Sequence, residues 1–244
     1  MLEGFSWITR TYDVGFCVTF ARGLDEQEML RRFGGDPSHA WPIRCRDIFA
    51  LQEIEEFEDL QGYEGLEHPG PIIQVGSCKN WAFALEDPGY FGAEAQQGAR
   101  PEVLCVVSAN SIAVSMYKDA KANYIFSYAE NGEFVAWFDA LCQYGSDNWD
   151  KTPALLPLLQ QAGLDPREHR FDRGRDPIAV MSALAEAIGV CLDLEAVAEK
   201  PLLTGKIVPG QDEKGIRHER ASTSPYRGKL RIVPLHSNDK KEPL

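Results

Sequence analysis

The sequence predicts an α+β fold, in which an antiparallel β-meander sheet carries helices packed on one face. Three observations predict it. Residues 79–139 contain several runs in which apolar side chains alternate with a period of two, as they do in strands. An Asn131-Gly132 pair separates two aromatic-rich runs of this kind, as in a tight hairpin. Elsewhere the apolar residues recur in steps of three and four, which is typical of amphipathic helices.

The hairpin is predicted for residues 124–138. Asn-Gly is the preferred dipeptide for a two-residue turn in which both central residues have positive φ, and the twist of that turn matches the flanking strands. In the first arm, residues 124–128, aromatic side chains alternate with Ile125 and Ser127. In the second arm, residues 134–138, both faces are apolar, which indicates an interior strand.

Further strands are predicted from alternation or from short continuous apolar runs. They lie at residues 14–21, 72–76, 81–85, 103–107 and 112–117. With the hairpin they give a sheet of five to seven strands. Residues 103–107 and 112–117, joined by a tight connection, form a four-stranded meander with the two hairpin arms.

Helices are predicted for residues 25–34, 47–60, 151–163, 176–189 and 194–199. Asp25 and Glu28 have the spacing of a capping box, and Asp176 followed by Pro177 has the signature of an N-cap and first turn. The second helix has one acidic face, which a solvated surface explains. We expect the helices that begin at Asp47 and Asp176 to cover the sheet.

The chain is predicted to form one α+β domain, residues 1–203, followed by a basic tail, residues 204–244. The tail has nine Lys and Arg against five Asp and Glu, a net charge of +4, within a chain whose formal net charge is −12. Its low apolar content predicts an extended or disordered segment unless a partner orders it.

Composition argues against several classes of protein. The N-terminus has no signal-peptide pattern and no apolar run approaches the ~20 residues of a membrane span, so we expect a cytoplasmic protein. The six cysteines form no CxxC pair, which favours buried reduced thiols over disulfides or a metal site. The acidic body argues against nucleic acid as the principal partner and permits a basic protein partner, although solubility explains an acidic body as well.

Several motifs in the chain resemble an uncharacterised protein family that is abundant in actinobacteria. They are Trp7, residues 18–20, Gly23, residues 29–34, residues 81–86 (WAFALE), Gly89, Tyr90, Gly92, residues 126–132 (FSYAENG), Phe138, Asp139, Ile188 and Gly189. The match covers roughly residues 5–200. The resemblance implies a soluble bacterial cytoplasmic protein of the accessory or immunity-like kind, and it implies no particular chemistry.

Motifs for a cofactor or a metal are missing from the sequence. Residues 75–79 (VGSCK) come closest to a phosphate loop, but they lack the second glycine and the following helix. None of the five histidines has a second ligand at metal-binding spacing. We therefore predict no cofactor and no metal.

The candidate binding residues are aromatic side chains of the strands and carboxylates at strand ends. They are Trp81, Glu86, Asp87, Tyr90, Tyr124, Tyr128, Trp137 and Asp139. The same aromatic residues, at alternating strand positions, are also typical of a core packed against helices.

The leading functional hypothesis is a non-enzymatic protein-binding module, immunity-like or an accessory factor of a bacterial conflict or defence system. One alternative is a small hydrolase or transferase that uses a thiol or carboxylates at strand ends, near Cys78, Glu86 and Asp139. Another is tail-mediated assembly, in which residues 226–233 add a strand to the sheet edge of a partner or of a second copy.

Overall fold

The computed structural model describes residues 8, 15–45, 71–86, 97–141, 144–145, 155–161, 176–190, 192, 197 and 200–207. The strands in these ranges are β1 (Phe16–Arg22), β2 (Trp41–Arg44), β3 (Ile72–Cys78), β4 (Trp81–Glu86), β5 (Ile112–Lys118), β6 (Tyr124–Glu130), β7 (Glu133–Asp139), β8 (Tyr144–Gly145) and β9 (Pro201–Lys206). The helices are α1 (Glu26–Arg32), α2 (Pro101–Val107), α3 (Leu155–Gln161) and α4 (Pro177–Ala187), with 3-10 helices at Pro37–His39 and Gln97–Ala99.

The described strands form one sheet in the order β2-β9-β3-β4-β1-β5-β6-β7-β8. Every neighbouring pair is antiparallel, which confirms the predicted antiparallel sheet. The sheet has nine strands over the described ranges, whereas five to seven were predicted. It dominates the described structure, and the helices are few and short.

The Asn131-Gly132 turn is as predicted. Both residues have positive φ, 52° and 85°, and Glu130 pairs with Glu133 across the turn. A register shift between Tyr128 and Ala129 interrupts the pairing of β6 with β7 near the turn. The local dipeptide therefore sets this hairpin.

The helix caps at Asp25 and Asp176 are also as predicted. The Asp25 carboxylate accepts from the backbone N–H of Glu28 at 2.7 Å. The Asp176 carboxylate accepts from that of Ile178 at 3.0 Å. Each satisfies one of the backbone donors that a helix leaves without an intrahelical partner.

The prediction that helices pack on one face is wrong, because helices lie on both. One face carries large side chains, which pack with residues of α3 and α4; among them are Phe16, Phe20, Phe83, Met116, Phe126 and Phe138. The opposite face is lined mostly by small or β-branched side chains, which pack with residues of α1 and α2; among them are Ala21, Ile73, Val75, Ala82, Ala84, Ala113 and Ala129. Both faces are apolar, so both must be covered.

The strand predicted for residues 103–107 is also wrong, because this run lies in helix α2. Pro101 stands in its first turn, where a missing N–H costs nothing. Leu104 and Val107, three residues apart, are buried, while Val106 is 53% exposed. A continuous apolar run does not distinguish a strand from a short helix, and here the burial follows the helical period.

The domain boundary predicted between Leu203 and Thr204 falls inside β9, which lies between β2 and β3. The Gln74 side chain donates to Thr204 Oγ1 and to the carbonyl oxygen of Ile43, both at 3.2 Å, and so ties three strands together. Residues 204–206 thus belong to the sheet. The predicted tail beyond Ile207 and the helix predicted for residues 47–60 lie outside the described residues, as does most of the helix predicted for residues 194–199.

Within the described ranges, the helices are all too short or too polar to cross a membrane.

The helical assignment of residues 103–107 predicts different effects for two adjacent valines. Val107→Ala should lower the free energy of unfolding by about 2 kcal/mol, because Val107 is fully buried. Val106→Ala should change it by less than about 0.5 kcal/mol, because Val106 is exposed. Chemical denaturation of the two variants measures both values, and equal losses would contradict the helix.

Candidate functional site

The predicted site residues lie in separate parts of the sheet. Trp81 is buried in the core, and so is Tyr128, whose hydroxyl donates to Glu130 at 3.0 Å. Tyr124 and Trp137 are half-buried. Glu86 and Asp139 are buried, and Asp87 and Tyr90 lie outside the described residues.

Cys78, Glu86 and Asp139 do not share a site. Cys78 pairs with Trp81 at the start of β4, whereas Glu86 ends that strand. At ~3.4 Å per residue the backbones of these two residues are about 17 Å apart along the strand direction. Asp139 lies in the same cross-strand row as Glu86 but four strand spacings away, about 19 Å.

The residues that do surround Glu86 come from β1 and from the 3-10 helix Gln97–Ala99. The Gln97 N–H donates to Glu86 Oε2 at 2.7 Å, and the Gly98 N–H donates to Oε1 at 2.8 Å. Cys17 is the cross-strand partner of Glu86 in the pairing of β1 with β4. Thr19 follows it on the same face of β1. We call these five residues the Glu86 cluster.

The cluster is closely packed around Gly98. A Cβ atom at this position would lie 2.0 Å from Thr19 Oγ1 and 2.8 Å from Glu86 Oε1. Only glycine therefore lets the backbone approach β1 and β4 so closely. At this point the packing leaves no room for a ligand between the sheet and the 3-10 helix.

The polar groups of β1 differ in how well they are satisfied. Cys17 Sγ lies 3.5 Å from Ser115 Oγ on β5. Thr19 Oγ1 is fully buried and has no hydrogen-bond partner among the described residues. A buried hydroxyl without a partner costs free energy, so this one is a local weakness in the packing.

The electrostatics of the cluster follow from burial. Glu86 is 2% exposed, and burial raises the pKa of its carboxyl to about 7, although the two backbone amides act in the opposite direction. Burial and then the charge of Glu86 raise the pKa of the Cys17 thiol well above its ordinary value. No ion pair joins Glu86 to a cation among the described residues. Glu86 is therefore able to gain or lose a proton near neutral pH.

This arrangement serves proton binding better than catalysis. A thiol with a raised pKa is a poor nucleophile, because the thiolate is the reactive form. The Glu86 carboxyl is enclosed and already engaged by two amides. Over the described ranges, no group of three or more His, Cys, Asp and Glu side chains is placed to hold a metal ion.

Sequence reasoning found Glu86 from its position at a strand end but missed its neighbours. One signal was present. Cys17 and Thr19 interrupt a run of large apolar residues in β1, Phe16, Val18 and Phe20, so one face of that strand is more polar than the other.

A second feature lies on the surface, where α2 meets the tip of the hairpin between β6 and β7. The Gly132 N–H donates to Ser108 Oγ at 3.2 Å, and the Asn131 N–H donates to the Ser111 carbonyl at 2.8 Å. These bonds fix the turn against the C-terminal end of α2.

The exposed groups of this region are apolar and acidic. Burial raises the pKa of the Cys105 thiol, and the negative charges of Glu102 and Glu133 raise it further. Both carboxylates therefore lie near Cys105 on α2. Val106 is exposed, and Phe134 is half-buried. We call Glu102, Cys105, Val106, Glu133 and Phe134 the α2–hairpin surface.

The close packing of Gly98 predicts a coupled pair of substitutions. Gly98→Ala should destabilise the protein by roughly 1–3 kcal/mol, because the new methyl group overlaps Thr19 Oγ1. Adding Thr19→Ala should recover part of this loss, because it removes the overlapping hydroxyl. A thermal or chemical double-mutant cycle measures the coupling, and strictly additive effects would contradict the contact.

The burial of Glu86 predicts that its contribution to stability depends on pH. Its folded-state pKa lies above the ordinary 4.5, so the folded state binds more protons than the unfolded state between about pH 4.5 and 7. The stability of the wild type relative to Glu86→Gln should therefore fall by about 3 kcal/mol as the pH rises through this window, and level off above it. Urea denaturation of both proteins at several pH values measures this difference. A difference that stays constant would contradict the raised pKa.

Comparison with known proteins identifies a family. A family model described as a family of unknown function (DUF6461) matches residues 2–207. This range includes all the described strands and helices. No curated protein and no solved structure shows a significant match to the chain. The chain belongs to this family of unknown function, DUF6461.

Proposed function

We propose that this protein is a non-enzymatic protein-binding module that contacts a basic partner through the α2–hairpin surface. The main observation behind the proposal is that Val106, a large hydrophobic side chain on the described surface, is 53% exposed. Glu102 lies one helical turn before it, and Glu133 lies near the same helix. An apolar centre with charged residues around it is the usual arrangement of a protein interface.

The charges of the surface favour a basic partner. Glu130 and Glu133 are exposed at the hairpin tip, and the charge of Glu102 is partly offset by Arg100, whose Nε donates to it at 2.7 Å. The chain as a whole has a formal net charge of −12. Complementary charge would steer a basic protein to this surface and would repel nucleic acid.

The position of the reactive groups supports binding over catalysis. Cys17 and Glu86 are enclosed between the sheet and a 3-10 helix, and Cys78 lies at the opposite end of β4 from Glu86. The hydrolase or transferase alternative therefore lacks a convergent set of groups among the described residues. Tail-mediated assembly through residues 226–233 stays a proposal, because these residues lie outside the described part.

The proposed setting is the cytoplasm of a bacterium, with an immunity-like or accessory role in a conflict or defence system. None of the four described cysteines forms a disulfide, which fits a reducing compartment. The resemblance of the sequence motifs implies an actinobacterial host. Such a host is therefore the source in which a partner should be sought.

The proposal predicts that capture of a basic partner depends on the α2–hairpin surface. Purified protein is used as bait in an actinobacterial lysate, and the captured proteins are quantified by mass spectrometry. Val106→Asp should reduce capture at least tenfold, because it puts a charge at the centre of the interface. Glu133→Lys should reduce the association rate, most strongly at low salt.

Glu186→Lys is the matched control, because it makes the same charge change at an exposed position on α4, which packs on the opposite face of the sheet. Its capture should equal that of the wild type. A wild type that captures no basic protein would contradict the proposed function. Capture that survives Val106→Asp would leave the function in place and assign it to another surface.

A further inference from the structure

The Glu86 carboxyl joins the end of β4 to the segment Gln97–Val107. It binds the first two residues of that segment through consecutive backbone amides. The segment is continuous in its hydrogen bonding, since Arg100 N donates to Gln97 O and Leu104 N donates to Arg100 O, both at 3.0 Å. The 3-10 helix and α2 are thus one connected unit, and Glu86 holds its N-terminal end.

The other end of this unit is held independently. Arg32 Nη1 on α1 donates to the carbonyl oxygens of Val107 and Ala109 at 2.9 and 2.8 Å. These carbonyls would otherwise lack partners at the end of α2. Loss of the Glu86 contacts would therefore loosen the N-terminal end of the unit, while Arg32 retains its C-terminal end.

The groups that face Glu86 are hydrogen-bond donors and not cations, so they compensate a negative charge only in part. From β1 they are the Cys17 thiol and the Thr19 hydroxyl, and from the 3-10 helix they are the backbone amides of Gln97 and Gly98. From β5, Ser115 reaches only Cys17. Within the described part of the chain, none of these groups is a cation. The ionised carboxyl therefore loses its hydration without gaining a counter-charge. Burial costs the neutral carboxyl much less, because its hydration is weaker.

We propose that Glu86 is a proton-dependent latch, which holds the N-terminal end of the segment Gln97–Val107 against the sheet when it is protonated and releases it when it is ionised. The released state returns the carboxylate to water.

The direction of the effect follows from the same burial. The closed state raises the pKa of Glu86 from 4.5 to about 7, while an open, hydrated carboxyl keeps its ordinary value. Opening therefore becomes more frequent as the pH rises from about 4.5 to 7 and changes little above that. The latch does not depend on the proposed partner, although the unit it holds carries Val106.

Amide hydrogen exchange tests the latch directly. Protection of the hydrogen-bonded amides of Gln97, Gly98, Arg100 and Leu104, corrected for intrinsic exchange rates, should fall roughly 70-fold between about pH 5 and about pH 8 in the wild type. This exchange should be unchanged by about 1 M urea, because local opening exposes little surface. In Glu86→Gln the protection should be independent of pH, whatever its level.

Glu102→Gln is the matched control, because it makes the same chemical change at an exposed carboxyl of the same segment. It should keep the pH dependence of the wild type. Three results would overturn the latch: equal protection at both pH values in the wild type, a fall that persists in Glu86→Gln, or a fall that urea enhances as strongly as it enhances global unfolding. If Glu86→Gln does not fold, the wild-type pH and urea series still decides.

Labelling of Cys17 by a small alkylating reagent gives a second measurement. Cys17 is buried beside Glu86, so it reacts only when the cluster opens. Its rate, divided by the rate in unfolded protein at the same pH, should rise with pH over the same range. A constant ratio would overturn the latch even if the exchange data were ambiguous.

Discussion

The pairing of β1 with both β4 and β5 is the constraint on which the rest of the structure depends. β1 joins the half-sheet of β2, β9, β3 and β4 to that of β5, β6, β7 and β8. Six of its seven residues are buried. The same pairing brings Cys17 beside Glu86 and Ser115. A single strand thus supplies both the centre of the core and one wall of the Glu86 cluster, because its alternate side chains point to opposite faces.

The two faces of the sheet differ in the size of their side chains and therefore in how closely the helices approach. Large aromatic side chains fill one face under α3 and α4, and alanines on the other let α1 and α2 lie close. Small residues also leave space for polar groups and for the backbone of Gly98. The carboxyl of Glu86, buried on that face, requires hydrogen-bond donors, and the backbone of the 3-10 helix supplies two. The polar cluster is therefore a consequence of how closely that segment approaches the sheet.

Segment Gln97–Val107 links the interior to the surface. Its first residues bind the buried Glu86, and its helix presents Val106 and Glu102 to solvent. A change in the protonation of Glu86 would therefore act on the same unit that carries the proposed interface. Such coupling needs no long pathway through the protein, because fewer than ten residues of continuous hydrogen-bonded chain join the two ends.

The sequence by itself determined the features that arise from local chemistry. Asn131-Gly132 specified the hairpin, and Asp25 and Asp176 specified two helix starts. Alternation specified β4 and β5, and short apolar runs specified β1 and β3. Tertiary structure alone decided that residues 103–107 are a helix, that β9 enters the sheet between β2 and β3, and that Glu86 binds Gln97 and Gly98. The physical reason is separation along the chain. A turn or a cap is fixed by residues within four positions, whereas the partners of β9 and Glu86 are brought near only by the folded sheet.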